Sequence, residues 1–174
     1  MERQDFKLIV GLGNPGPRYS DTYHNIGNEA LLRIAGNEEF KRPFSVFRGK
    51  PFQYLKSGLK TYIRPLTFMN ESGKAVYAAA KHFKVSPEDI LVIHDDSDIE
   101  AGSYKLSLGG GSAGHNGIKS IIQYLGTEDF WRLRIGVRGI HTEKAGDFIL
   151  QKISREDRQK IDKALFEIKV GYNE

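Results

Sequence analysis

Lys7-Leu8-Ile9-Val10 runs straight into Gly11-Leu12-Gly13-Asn14-Pro15-Gly16-Pro17, an apolar run stopped by a turn of glycine and proline. A short continuous apolar run with that punctuation reads as a strand buried on both faces. Downstream, Gly27, Ala30, Leu31 and Ile34 share one helical face, which predicts a helix from about Asp21 to Ala35 stopped by Gly36. Between Phe44 and Ile63, aromatic and β-branched residues cluster around Gly49-Lys50-Pro51 and Ser57-Gly58, the pattern of strands and turns. Ala75, Val76, Ala79, Ala80 and Phe83 mark a second helix, and Ser86-Pro87-Glu88-Asp89 resembles an N-cap with proline at N1, opening a short turn.

The pattern then repeats. Ile90 to Ile93 is an apolar strand ending in His94-Asp95-Asp96, and Tyr104 to Leu108 a strand entering Gly109-Gly110-Gly111. Ile118, Ile121, Ile122 and Leu125 recur at helical spacing. Leu133 to Val137 reads as the last strand, and Ser154 to Val170 as a capped helix with Ile161, Leu165 and Ile168 inward. Strands alternating with helices predict an α/β fold: a single domain over residues 1–174, with a central mixed, mostly parallel β-sheet flanked by helices. Polar residues gather at strand ends, where open α/β sheets form their ligand crevice.

Composition narrows the function. The chain has 174 residues, 39% hydrophobic and 28% charged, with no cysteine. Thiolate nucleophiles, disulfides and cysteine-bound zinc are excluded, which suits a reducing, cytoplasmic location. No apolar run is long enough for a membrane span. The net charge of +4 is small, but it is segregated. From Phe40 to Arg64 there are Lys41, Arg42, Arg48, Lys50, Lys56, Lys60 and Arg64 and no acid, with Phe44, Phe47, Phe52, Tyr54 and Tyr62 among them. Cations alternating with rings suit a nucleic-acid surface. The same stretch reads equally as a β-meander with its rings inward and its lysines solvated.

Three short motifs compete for the chemistry. Gly11-x-Gly13-x-x-Gly16 matches a dinucleotide fingerprint, but Pro15 and Pro17 flank the glycine where a helix must open, and Pro15 lacks an N–H. Gly110-Gly111-Ser112-Ala113-Gly114 matches a nucleophile elbow, with Asp129 and His141 following in triad order. Ser112 lies ahead of the predicted helix rather than on a sharp strand-to-helix turn. Asp95-Asp96-x-Asp98 offers oxygen ligands to a hard cation, although an ionic or solvated role for Asp96 and Asp98 is simpler.

Four segments taken together resemble the bacterial-type peptidyl-tRNA hydrolases: Gly11 to Gly27, Arg64 to Gly73 (with Thr67-Phe68-Met69-Asn70), His94 to Asp98, and Gly109 to Ile121 (with Gly114-His115-Asn116-Gly117). Phe130 to Gly136 fits as a fifth, while the tail beyond Gly139 is less family-like. The resemblance implies cleavage of the ester joining a peptide to the 3′-terminal adenosine of tRNA, with no cofactor and no metal. It implies His24 as general base, Asp95 as its orienting partner, and Asn14, Asn70 and Asn116 as amides that hold substrate and water. Tyr19 and Met69 line the cleft, and His115 is a secondary substrate contact.

The chemistry is reasonable from first principles. An aminoacyl-type ester is already activated, so a positioned water and an imidazole base suffice. A carboxylate on the other imidazole nitrogen sets the tautomer and stabilises imidazolium, and amides receive the oxyanion without adding charge. Lys105, Lys119, Arg132 and Arg134 are expected to clamp the acceptor stem through its phosphates. A monomer is expected. Two positions depart from the family pattern: Tyr23 stands where arginine is usual, and Ser107 where a basic residue commonly precedes the triple glycine. A non-catalytic RNA-binding protein of the same fold, or a serine hydrolase using Ser112, are the alternatives.

Overall fold

The computed structural model describes residues 5–36, 45–46, 48–139 and 145–173. Its strands are β1 (Leu8–Gly11), β2 (Ser45–Val46), β3 (Phe52–Ser57), β4 (Lys60–Pro65), β5 (Ile90–Glu100), β6 (Tyr104–Leu108) and β7 (Trp131–Arg138). They form one sheet in the order β2-β3-β4-β1-β5-β7-β6. The centre is parallel, β4-β1-β5-β7, and the β3 and β6 flanks run antiparallel to it. The helices are α1 (Ile26–Ile34), α2 (Ser72–Phe83), α3 (Asn116–Leu125), α4 (Ala145–Phe148) and α5 (Arg155–Asn173).

Helices on both faces explain the unbroken apolar strands. Leu8, Val10, Ile90 and Val92 face one layer, packed with Val76, Ala79, Ile118 and Ile121 of α2 and α3. Ile9, Leu91 and Ile93 face the other, against Ile26, Leu31, Ile161 and Leu165 of α1 and α5. Each fully buried side chain of this kind contributes roughly 1.5–3 kcal/mol. Gly27 lets α1 lie on β5, since a Cβ there would sit 2.2 Å from the Ile93 carbonyl oxygen. None of the described helices is long and apolar enough to cross a membrane.

Three expectations need correction. The helix expected from Asp21 begins at Ile26. Before it, Asp21 is left-handed (φ 63°), Thr22 extended, and Tyr23–Asn25 a 3₁₀ turn. Thr22 is held out by a bridge to Lys152, and Ile153 N donates to Asp21 O. The strand expected to stop at Ile93 continues to Glu100, because β7 goes on pairing with it: Asp95 opposite Ile135 and Asp96 opposite Gly136. The short turn expected at Ser86 forms, a single 3₁₀ turn at Pro87–Asp89 with proline leading it, but the Ser86 side chain makes no capping bond. Lys41, Arg42, Phe44 and Phe47 of the basic stretch, and His141, lie outside the described residues.

Candidate active site

The end of β1 lies beside the middle of β5, Gly11 opposite Ile93. One residue past that register, His94 turns to one face and Asp95 to the other. The 3₁₀ turn carrying His24 reaches Asp95 from α1. Its backbone is fixed by His24 N donating to Ile149 O at 2.8 Å, and Tyr23 N to Gln151 O at 3.4 Å. His24 Nδ1 lies 2.9 Å from both carboxylate oxygens of Asp95, the two residues being 4% and 3% exposed. Placing the proton on Nδ1 as donor leaves Nε2 as a lone pair.

Asp95 has a second imidazole partner. His115 caps α3, its Nδ1 accepting from Gly117 N at 3.1 Å and Ile118 N at 3.3 Å. An atom that accepts two N–H groups carries no proton, so the proton of His115 sits on Nε2 and is donated to Asp95 Oδ1 at 3.0 Å. Burial opposes ionisation of Asp95, but the charges of and hydrogen bonds from His24 and His115 outweigh it and hold the carboxyl well below its usual range. The carboxylate is therefore ionised at neutral pH.

His24, Asp95 and His115 also have the spacing of a metal site, their ligand atoms within 4.8 Å of one another. The donor chemistry points elsewhere. A cation among them needs the lone pair of His115 Nε2, and the two backbone amides on Nδ1 keep the proton on Nε2. The trio fits proton handling. Asp96 and Asp98 do not complete a cation site either: Asp96 accepts from Arg134 Nε at 2.6 Å and from Asp98 N at 2.9 Å, and Asp98 is exposed.

His94 lies beneath this group. Its Nδ1 donates to Asp95 O at 2.6 Å, and Nε2 is buried with no hydrogen-bond partner. Burial first, then the neighbouring His115, lower its pKa from 6.5 to about 3. Unfolded chains accordingly take up a proton below pH 6.5 that the folded chain refuses until about 3. The stability His94 contributes is complete above 6.5 and falls with pH through that window, by about 1.4 kcal/mol per unit. Urea midpoints measured from about pH 7 down to about 5.5, above the range where ordinary carboxylates titrate, are expected to show the onset of this slope. His94→Gln keeps a donor but cannot titrate, and is expected to flatten it.

The crevice above these groups, about 170 Å³, is lined by His24, Asp95, Ser112, His115 and Asn116 among others. Asn14 stands beside it in a locked pair: Asn14 N donates to Asn25 Oδ1 at 2.8 Å, and Asn25 Nδ2 to Asn14 O at 2.9 Å. Asn14 Oδ1 accepts from Met69 N at 2.8 Å. Met69 is buried, and its sulfur would lie 2.5 Å from a Cβ at Gly117, so that glycine admits it. Asn70 is exposed on the 3₁₀ turn that follows, and Tyr19 packs edge-to-face on Phe68 at 6.1 Å.

Arg132 is not where an external phosphate reaches it freely. It is 5% exposed and donates to Gly111 O at 2.7 Å and to Gly110 O, with its guanidinium over the Phe130 ring. It organises the glycine loop. Lys105 and Lys119 are exposed, and Lys105 stands directly opposite Arg134 across β6 and β7. Sequence reading missed the clasp behind His24. Tyr23 OH donates to Asp157 Oδ2 at 2.7 Å and accepts from Ser154 N at 3.1 Å, pinning the start of α5 to the catalytic turn. The cap expected at Ser154 is present, Asp157 N donating to Ser154 Oγ at 3.1 Å.

The competing motifs lose their geometry. Gly16 leads into a three-residue 3₁₀ turn at Pro17–Tyr19, with no helix for a pyrophosphate. Ser112 makes no hydrogen bond to an imidazole among the described residues, and Asp129 is exposed beside Thr127.

A family model described as peptidyl-tRNA hydrolase matches residues 8–172. The peptidyl-tRNA hydrolase of Haemophilus influenzae (strain PittGG) is 46% identical over 167 residues, covering 94% of this chain and 86% of that one. That of Nitrosomonas eutropha is 42% identical over 162 residues, covering 91% and 83%. The crystal structure of the Acinetobacter baumannii peptidyl-tRNA hydrolase superimposes with a TM-score of 0.86 at 28% identity, over 99% of this chain and 89% of that one. With a match that runs from the first strand through the last helix, this chain belongs to the peptidyl-tRNA hydrolase family.

Proposed function

We propose that the protein hydrolyses the ester between a peptide and the 3′-terminal adenosine of tRNA, using water activated by His24. The observation that carries this reading is the imidazole of His24 held 2.9 Å from both oxygens of a buried carboxylate. With Nδ1–H directed at Asp95, Nε2 takes a proton from water as its oxygen attacks the ester carbonyl. The imidazolium that forms is stabilised by Asp95. Asn116, at the crevice and on the first turn of α3, donates to the tetrahedral oxyanion, with Asn14 and Asn70 holding the acyl chain and water. Collapse breaks the bond to the ribose oxygen, which leaves with the proton returned by His24. The products are a peptide carboxylate and a tRNA with a free terminal hydroxyl. His115 locks the rotation of the carboxylate.

The acceptor stem lies over β6, β7 and the start of α3, where Lys105, Arg134 and Lys119 give phosphate contacts without reading sequence. Arg132 is left out of this clamp because its guanidinium is occupied by the loop carbonyls. The protein acts as a cytoplasmic monomer in this reading. Among the described residues, the exposed aliphatic and phenyl side chains Leu59, Leu108, Leu150 and Phe166 lie on different segments, and exposed Tyr77 and Tyr124 pack on each other across α2 and α3.

The test is release of tRNA from N-acetyl-aminoacyl-tRNA by the wild-type protein, at several salt concentrations. Turnover is expected, and log affinity is expected to fall with log salt at a slope of roughly −2 to −3 for three phosphate contacts. Salt-sensitive binding with no release at any pH would reduce the protein to an RNA-binding module.

A further inference from the structure

A second cavity, of about 400 Å³, is lined by Asn14, Asn25, Asn28, Arg33, Arg64 and Arg158 among others. Two of its three arginines are satisfied. Arg33 pairs with Glu29 at 2.7 Å and Asp162 at 2.6 Å, and Arg158 with Glu29 at 2.9 Å and with Asp21. Arg64, at the end of β4, is half-buried and has no ion pair or hydrogen bond among the described residues. Burial without a compensating acid lowers its pKa. In the same cavity Asn28 Oδ1 is buried with no donor. A desolvated cation and an orphaned acceptor on one wall each lack what a ligand supplies.

The sheet order says which part of the substrate arrives there. The catalytic pair sits over β1 and β5. Lys105 and Arg134 lie to one side, on β6 and β7, while Arg64 and α1 lie to the other, beyond β1. The scissile ester joins two chains, and with the tRNA on β6 and β7 as proposed above, the side left for the peptide is that of β4.

We propose that this cavity is a subsite for the peptide moiety, in which Arg64 binds an acidic side chain upstream of the ester and Asn28 Oδ1 accepts a main-chain N–H. The inference rests on the ester-cleavage reading above. It makes hydrolysis sensitive to peptide sequence at a position beyond the aminoacyl residue itself.

The experiment compares N-acetyl-aminoacyl-tRNA with five-residue N-acetyl-peptidyl-tRNAs carrying Glu or Lys at each upstream position. For wild type, Glu at one position is expected to raise kcat/KM about tenfold over Lys, through KM, the effect of one charge-assisted hydrogen bond. Arg64→Gln is expected to abolish that preference, Arg64→Glu to reverse it, and Arg64→Lys to retain part of it. Absence of any Glu preference in wild type overturns the proposal. So does an Arg64→Gln loss that is equal on the one-residue and five-residue substrates, which assigns the cation to a tRNA phosphate. If wild type fails to release tRNA even from the one-residue substrate, the ester-cleavage reading fails as well, a result distinct from either.

Discussion

Replacing His24 with alanine is expected to lower kcat for N-acetyl-aminoacyl-tRNA by about 10³- to 10⁴-fold, the upper range for removal of a general base. The effect is large because no other described group can take over. His115 presents a protonated Nε2 to Asp95, and its Nδ1 is engaged by two backbone amides. His94 is among the crevice-lining residues, but its Nε2 is buried and makes no hydrogen bond, and its Nδ1 is held by the Asp95 carbonyl. KM is expected to change little, since the phosphate contacts proposed for Lys105, Lys119 and Arg134 are untouched. Urea denaturation run alongside separates chemistry from folding, because a buried side chain is being truncated. Ser112→Ala, in contrast, is expected to keep turnover within a few-fold, as no described imidazole reaches its hydroxyl. An active His24→Ala with an inactive Ser112→Ala would transfer the reaction to the glycine-loop serine.

Much of this arrangement is legible in sequence, for physical reasons. Leu8 to Val10 and Ile90 to Ile93 are continuous apolar runs because helices cover both sheet faces, so the α/β class follows from pattern alone. The last part of β5 is not legible. His94 to Asp98 satisfy a crevice and an ion pair rather than a core, so polarity hides a strand held by backbone pairing with β7. The bonds from Tyr23 and His24 to Gln151 and Ile149 leave no trace either, because main-chain amides have no residue type. Arg132 shows the converse error. In sequence it is one more cation near Arg134, whereas its acceptors are carbonyls of Gly110 and Gly111, which composition cannot reveal. The resemblance supplied His24 and Asp95 as partners, and the structure adds the reason Asp95 stays ionised, a second donor from His115.

That shared carboxylate makes Asp95→Asn the most informative conservative change. Shape is preserved, yet kcat is expected to fall by about 10³- to 10⁴-fold, the scale seen when a triad carboxylate becomes an amide. In the wild type, Oδ1 accepts from both His24 Nδ1 and His115 Nε2, while Oδ2 accepts from His24 alone. An asparagine has one acceptor oxygen, and His115, fixed by its two amides, claims it. The amide NH₂ then occupies the Oδ2 position 2.9 Å from His24 Nδ1 and donates to it. His24 responds by moving its proton to Nε2, the atom that must be bare to accept one from water. The imidazole remains in place and loses its function as a base. The variant is therefore expected to bind N-acetyl-aminoacyl-tRNA with near wild-type KM while failing to turn it over, and nitrogen chemical shifts of His24 are expected to report the Nε2–H tautomer. Wild-type kcat, or an unchanged tautomer with lost activity, would show that Asp95 acts by something other than orienting His24.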